Sequence, residues 1–173
     1  MVHGIGTGKS GLMIIGEAPG MAEDKKGIPF VGRSGKLLRK LIVASGFDVE
    51  DVYMTNSVKC RPLNNRTPTQ DELQLCKPLL RQEFNQLADD IFIVVTLGNT
   101  ALNSILKGTY RISQVRGKHY NLGKFVLFPM FHPSYVLRDA SVKPTFIKDW
   151  ITLAEYYQTL RTYHTHTLNT IKI

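Results

Sequence analysis

Four short apolar runs punctuate the chain: Leu12–Ile15, Val52–Thr55, Ile91–Leu97 and Phe125–Phe128. They are rich in Val, Ile and Phe, and each is bounded by turn formers, so they predict buried strands. Between them the apolar positions take a helical period. Leu37, Leu38, Leu41 and Ile42 form one stripe, with Ser34 as its expected N-cap and Gly46 at its end. Thr69 and Glu72 have capping-box spacing and open a helix in which Pro78 is expected to cause a kink or a break. A shorter helix is predicted from Gly98-Asn99 to Leu106, stopped by Gly108. The last helix presents Phe146, Trp150, Leu153, Tyr157 and Leu160 as its packed face. Strand and helix in alternation predict an α/β fold in three layers, α/β/α, around a central four-stranded parallel sheet. No repeat, low-complexity tract or linker interrupts the pattern, so residues 1–173 read as one domain. The tail after Thr162 reads either as a disordered end or as a junction to something larger.

Composition narrows the class. Hydrophobic residues make up 43% and charged residues 21%, which excludes a disordered chain. No apolar run approaches the roughly 18 residues that span a bilayer. The start, "MVHGIGTGKSG", lacks the apolar stretch of a signal peptide. The expectation is an intracellular protein without a membrane partner. Lys and Arg number 22 against 14 Asp and Glu, a formal net charge of +8. That balance points to a polyanion, nucleic acid above all, or to a protein that is merely basic and soluble. The cations recur in loops (Arg61, Arg66, Arg116, Lys118, Arg138, Lys143) rather than in one tail, as a folded binding face requires. Two cysteines, Cys60 and Cys76, without a secretory signal argue against a structural disulfide.

In a parallel sheet with helices on both faces, ligands bind beyond the carboxyl ends of the strands. The loops there carry the candidate chemistry. After the first strand comes "GEAPG", residues 16 to 20: Glu17 at the sheet mouth, then a Pro19-Gly20 turn whose N–H groups could hold an anion or a carbonyl oxygen. A plain strand-to-loop turn reads equally well. The second strand leads into Asn56, whose amide can read the edge of a base or merely cap a turn. After the fourth strand, "FHPS" sets His132 on a stiff turn with Ser134. A structural His is the ordinary reading of such a residue, and the shared sheet edge with Glu17 and Asn56 favours a functional one. "GIGTGKSG" is not a phosphate loop, because its spacing is wrong and it precedes a strand.

Taken together, "GEAPG", "EDKKGIPFVGRSGKLL", "VYMTNSVKCRPLNNRTPT", "TLGNTAL" and "HPS" resemble the uracil-DNA glycosylase superfamily, most of all its family 4, the thermophile-type iron–sulfur branch. The similarity runs from Val2 to near Trp150 in the family's order. The resemblance implies a uracil-DNA glycosylase-like fold and hydrolysis of the N-glycosidic bond of a flipped-out uracil, leaving an abasic site in base excision repair. It implies that Phe30 stacks on uracil, that Asn56 reads its edge, and that His132 holds O2. Gly16, Ala18, Pro19, Gly20 and Ser134 would border the pocket, and Glu17 would place the attacking water. An aromatic platform and donors aimed at a leaving anion fit such chemistry. Tyr135, Val136 and Leu137 would be the wedge that fills the gap in the helix, with Arg61, Arg66 and Arg138 on phosphates. Other branches carry a water-activating Asp where this chain has Ala18. Family 4 has Ala there too, so Glu17 is left to orient water without a strong general base.

The chain departs from the family at its cluster. Family 4 holds iron–sulfur with four cysteines; Cys60 and Cys76 match the second pair, and the upstream C-x-x-C is missing. A [4Fe–4S] site with thiolates alone needs four, so no cluster is expected and no cofactor is required for the chemistry. Cys60 and Cys76 would be relics, a free-thiol pair, or half of a site completed by another polypeptide. Two functional classes follow. One is a monomeric, monofunctional DNA glycosylase acting on uracil in single- or double-stranded DNA. The other is a weak or inactive glycosylase-like module that binds DNA or uracil, attached to a replication or repair partner. Intact pocket residues favour the enzyme.

Overall fold

The apolar runs become the inner strands of one sheet. A computed structural model describes the backbone of residues 1–87 and 89–170 and the side chains of residues 1–87 and 89–161. Strands β1 (Leu12–Gly16), β2 (Tyr53–Asn56), β3 (Ile93–Leu97) and β5 (Val126–Met130) run parallel in the order β2-β1-β3-β5. A short fifth strand, β4 (Tyr120–Asn121), pairs antiparallel with β5 and closes that edge. The expected sheet of four parallel strands is therefore corrected to a mixed one of five. Two residues at an edge carry too little hydrophobic pattern to announce themselves. In β1 and β3 every residue is buried, as befits strands covered on both faces.

Seven α-helices are described: α1 (Met21–Lys26), α2 (Arg33–Ala44), α3 (Gln70–Gln86), α4 (Gly98–Ile105), α5 (Ile112–Val115), α6 (Pro133–Arg138) and α7 (Lys143–Thr170). Side chains alternate across the sheet. Leu12, Ile14, Met54, Val95 and Phe128 meet Leu38 and Ile42 of α2 and Phe146, Trp150, Leu153 and Tyr157 of α7. Met13, Ile15, Val94 and Leu127 meet Leu80 of α3, Ala101 and Leu102 of α4, and Ile112 of α5. These are the three expected layers. The chain leaves β1 toward β2 on one side and returns to β3 on the other. The ends of β1 and β3 thus form the switch point at which such sheets bind ligands.

Several local expectations change. The N-cap of α2 is Gly32, not Ser34, which lies inside the helix. Thr69 and Glu72 do form their capping box, but α3 runs on through Pro78. Pro78 and Gln74 are exposed, so water can satisfy the carbonyl that the missing N–H leaves open. The "HPS" turn opens a helix, α6, with His132 as its N-cap. That turn sends Val136 inward to 6% exposure while Tyr135 and Leu137 stay out, so Val136 is a core residue and not part of an exposed wedge. The tail's last residues, 171–173, and its side chains from 162 lie outside the described residues.

Candidate active site

A cavity of about 450 Å³ opens at the carboxyl ends of β1, β2, β3 and β5. Glu17, Ala18, Pro19, Gly20, Phe30, Asn56, His132, Ser134, Arg66 and Arg138 all line it. Parallel strands in register make this convergence automatic. Gly16 pairs with Asn56, and Leu97 pairs with Met130, two residues before His132. Gly16 lies behind the wall. A Cβ there would overlap Asn56 Oδ1 and come 2.7 Å from Phe30 Cζ, so only glycine lets the three approach.

Phe30 is held in the left-handed region, φ 55°, at 4% exposure. Such a backbone costs about 1–3 kcal/mol and persists only where its surroundings fix it. Glu23 does much of the fixing. Its Oε1 accepts the N–H groups of Val31 (2.9 Å) and Gly32 (2.7 Å), and its Oε2 accepts that of Gly20 (3.1 Å). One buried carboxylate thereby ties the turn after β1 to the segment after Phe30. Gly35 packs so tightly on the Phe30 carbonyl that any side chain there would collide with it.

The His132 ring has a defined tautomer. Ser134 N–H donates to Nδ1 at 3.1 Å, with Ser134 Oγ 2.8 Å from the same atom. Nδ1 is therefore an acceptor, and the ring proton sits on Nε2. Burial pushes the pKa of His132 down to about 4, and the Arg138 charge adds to that, while Glu23 opposes it. The imidazole is neutral at pH 7. Asn56, 3% exposed, has a side-chain amide with no hydrogen-bond partner among the described residues. Thr100, in the first turn of α4, donates to Glu17 Oε2 at 2.5 Å. The arrangement offers an aromatic face, an unpaired amide, a neutral N–H donor and an anchored carboxylate around one space roomy enough for a flipped-out nucleotide.

Other expected residues lie outside this core. Arg66 lines the rim, but its guanidinium is already held by both oxygens of Glu72, at 2.7 Å each. Arg61 is away from the cavity and donates to Asn65 Oδ1 at 2.7 Å. Tyr135 and Leu137 are exposed beside the cavity and do not line it; Tyr135 meets Phe131 edge-on. Sequence reasoning missed Glu23, Asn65, Thr67 and Thr100. Glu23 had a signal, since it stands three residues after the Gly20 N-cap of α1 in capping-box spacing.

The donor set does not fit a four-thiolate cluster. Cys60 is exposed, and the half-buried Cys76 accepts the Lys59 N–H at 3.3 Å. Among the described residues no group of three or more His, Cys, Asp or Glu could hold a metal. The loop between these cysteines is held by that N–H···S contact, by Arg66–Glu72 and by Arg61–Asn65.

Comparison with known proteins agrees with this geometry. The family model described as the uracil DNA glycosylase superfamily matches residues 3–170. The Type-4 uracil-DNA glycosylase of Thermotoga maritima is 45% identical over 143 residues, 82% of this chain and 73% of that protein. That of Saccharolobus solfataricus is 39% identical over 163 residues, 89% of this chain and 74% of its own. A DNA polymerase of Bacillus phage SP01 is 36% identical over 154 residues, 88% of this chain but 16% of the polymerase. The match spans every loop that walls the cavity and extends at this level to type-4 members, so the chain belongs to the uracil DNA glycosylase superfamily, in its type-4 branch.

Proposed function

We propose that this chain is a uracil-DNA glycosylase of base excision repair, and that Phe30, Asn56, His132 and Glu17 carry the reaction. The observation that supports it most is their convergence on one cavity with room for a flipped-out nucleotide, with an unpaired amide and a neutral imidazole donor lining the same space. The extruded uracil stacks on Phe30. Asn56 accepts from N3–H and donates to O4. When the C1′–N1 bond breaks, the electron pair stays on the base, and charge gathers on O2. His132 donates its Nε2–H there, as an oxyanion-hole donor does, and keeps its proton. Water, oriented by the Glu17 carboxylate that Thr100 anchors, adds to C1′ and gives up a proton that ends on the uracil anion by way of solvent, leaving an abasic site and neutral uracil. Arg138 at the rim and the exposed Tyr135 and Leu137 fit contacts to the duplex. The +8 net charge suits DNA, whether single- or double-stranded.

On this reading the domain works as a monomer inside the cell; no helix among the described residues is long and apolar enough to cross a membrane. The relative within a phage DNA polymerase supports an association with replication. The direct test is a labelled oligonucleotide with one uracil, followed by alkali, with a thymine control. Scission at uracil alone is expected; tight binding without scission would overturn the reading. With two thiols the chain is also inferred to work without an iron–sulfur cluster. The purified protein is expected to lack absorbance near about 400 nm, characteristic of such clusters, and to remain active. About four irons per chain would overturn that.

A further inference from the structure

One lysine is wholly buried and does not line the cavity. Lys59 is 0% exposed, and its ammonium donates to Thr55 Oγ1 (2.6 Å), to Glu83 Oε2 (2.6 Å) and to the main-chain oxygen of Asn56 (2.9 Å). All three of its protons are used. Thr55 Oγ1 in turn donates to Glu83 Oε2 at 2.7 Å, and Glu83 Oε1 accepts the Gly4 N–H at 2.9 Å. The network is closed, and it lies across the sheet from the cavity, because Thr55 and Asn56 point to opposite faces of β2.

Its place follows from the sheet's edge. β2 is an outer strand, paired through its length with β1 alone. On its open side Met54 exchanges both backbone hydrogen bonds with Ile5 of the N-terminal segment. Two residues on, the Asn56 carbonyl faces the same way; the segment passes it by, sending its Gly4 N–H to Glu83 and its Val2 N–H to the Lys59 carbonyl (2.7 Å), and the Lys59 ammonium supplies the donor that a neighbouring strand would give. Stability alone does not account for such a choice. A buried ion pair is often matched or bettered by apolar residues of similar volume, whereas it does fix geometry.

We propose that Lys59, held by Glu83 and Thr55, is the positioning residue for Asn56. It locks the carboxyl end of an edge strand so that the Asn56 amide stands in register with the base. The proposal rests on the reading that Asn56 acts on uracil. Without the brace the backbone at Asn56 has no partner on its outer side, and a displacement of about 1 Å suffices to slow a positioned reaction severely.

The test is the double variant Lys59→Met/Glu83→Gln. Methionine fills the volume of lysine, and the neutral amide that replaces the Glu83 carboxylate can still serve Gly4 and Thr55. Expected are a cooperatively folded protein with a Tm lowered modestly, by the cost of one unpaired buried carbonyl, unchanged affinity for DNA holding an abasic site, and single-turnover uracil excision slowed roughly 10- to 100-fold. In an Asn56→Ala background the same pair should cause no further slowing, because the residue it positions is gone. Excision within about two-fold of the parent protein, or an equal loss in both backgrounds, would overturn the proposal and leave the role of Asn56 standing. Asn56→Ala that excises at the parent rate would instead overturn the site reading itself. Should the double variant fail to fold, Thr55→Val, which changes no charge, carries the same cycle. Slowing of about three-fold that vanishes with Asn56→Ala supports the brace, and its persistence or absence overturns it.

Discussion

His132→Ala slows uracil excision by roughly 10²- to 10³-fold, the usual cost of one donor aimed at a developing oxyanion. Affinity for the duplex is expected to hold, since phosphate contacts dominate it, so the loss belongs in the rate and not in KM. The pH profile separates this assignment from acid catalysis. With Nδ1 accepting from Ser134 and the pKa held at about 4, the ring is neutral and its Nε2–H ready at every pH above that value. The rate should show no titration of His132 from about pH 8 down to about pH 5. A limb that falls with rising pH near about 6.5 in the parent protein, and is missing in His132→Ala, would mean that the ring acts as imidazolium. Stability carries the opposite mark. The folded pKa lies below the ordinary 6.5, so as pH falls the unfolded chain takes the proton first. This histidine therefore erodes stability between about pH 6.5 and about pH 4 and has no such effect above that window. His132→Ala should flatten the dependence of Tm on pH within it.

The parallel strands were legible because each is a buried apolar run between turn formers, and their carboxyl ends located the chemistry before any side chain was placed. Glu17, Asn56 and His132 come from three different strand ends, and register alone brings them together. What stayed hidden depends on contacts distant in sequence. Glu23 looks like an ordinary exposed helix residue until two helix starts converge on its carboxylate. Lys59 sits in a polar stretch, and only the meeting of β2 with α3 shows that its ammonium is sealed from water. Arg66 illustrates the converse. Its charge was counted toward the DNA surface, but the folded chain brings Glu72 against it from the first turn of α3. Summed charge cannot reveal such pairing, because it depends on where a loop returns.

Asn56→Ala slows excision by a similar factor, roughly 10²- to 10³-fold, for a different physical reason. The parent residue is 3% exposed and its amide is unpaired among the described residues, so what remains accessible of it faces the cavity and its hydrogen bonds are free for a ligand. Uracil presents N3–H and O4, a donor beside an acceptor, which one carboxamide satisfies together. Cytosine presents the reverse order and, with the amide held in the orientation that pairs with uracil, would set acceptor against acceptor and donor against donor. A site built this way rejects the wrong edge far more strongly than a hydrophobic pocket can, because a mismatch leaves buried groups unpaired. In Asn56→Ala the selectivity of that edge is lost along with the rate. Inhibition by free uracil should weaken at least about ten-fold, while inhibition by free cytosine, already poor, should scarcely change. Phe30 still stacks either ring, so the residual binding of the two bases should converge. Uracil that inhibits Asn56→Ala as well as it inhibits the parent would show that the amide reads no edge, and would leave Phe30 and His132 to account for recognition.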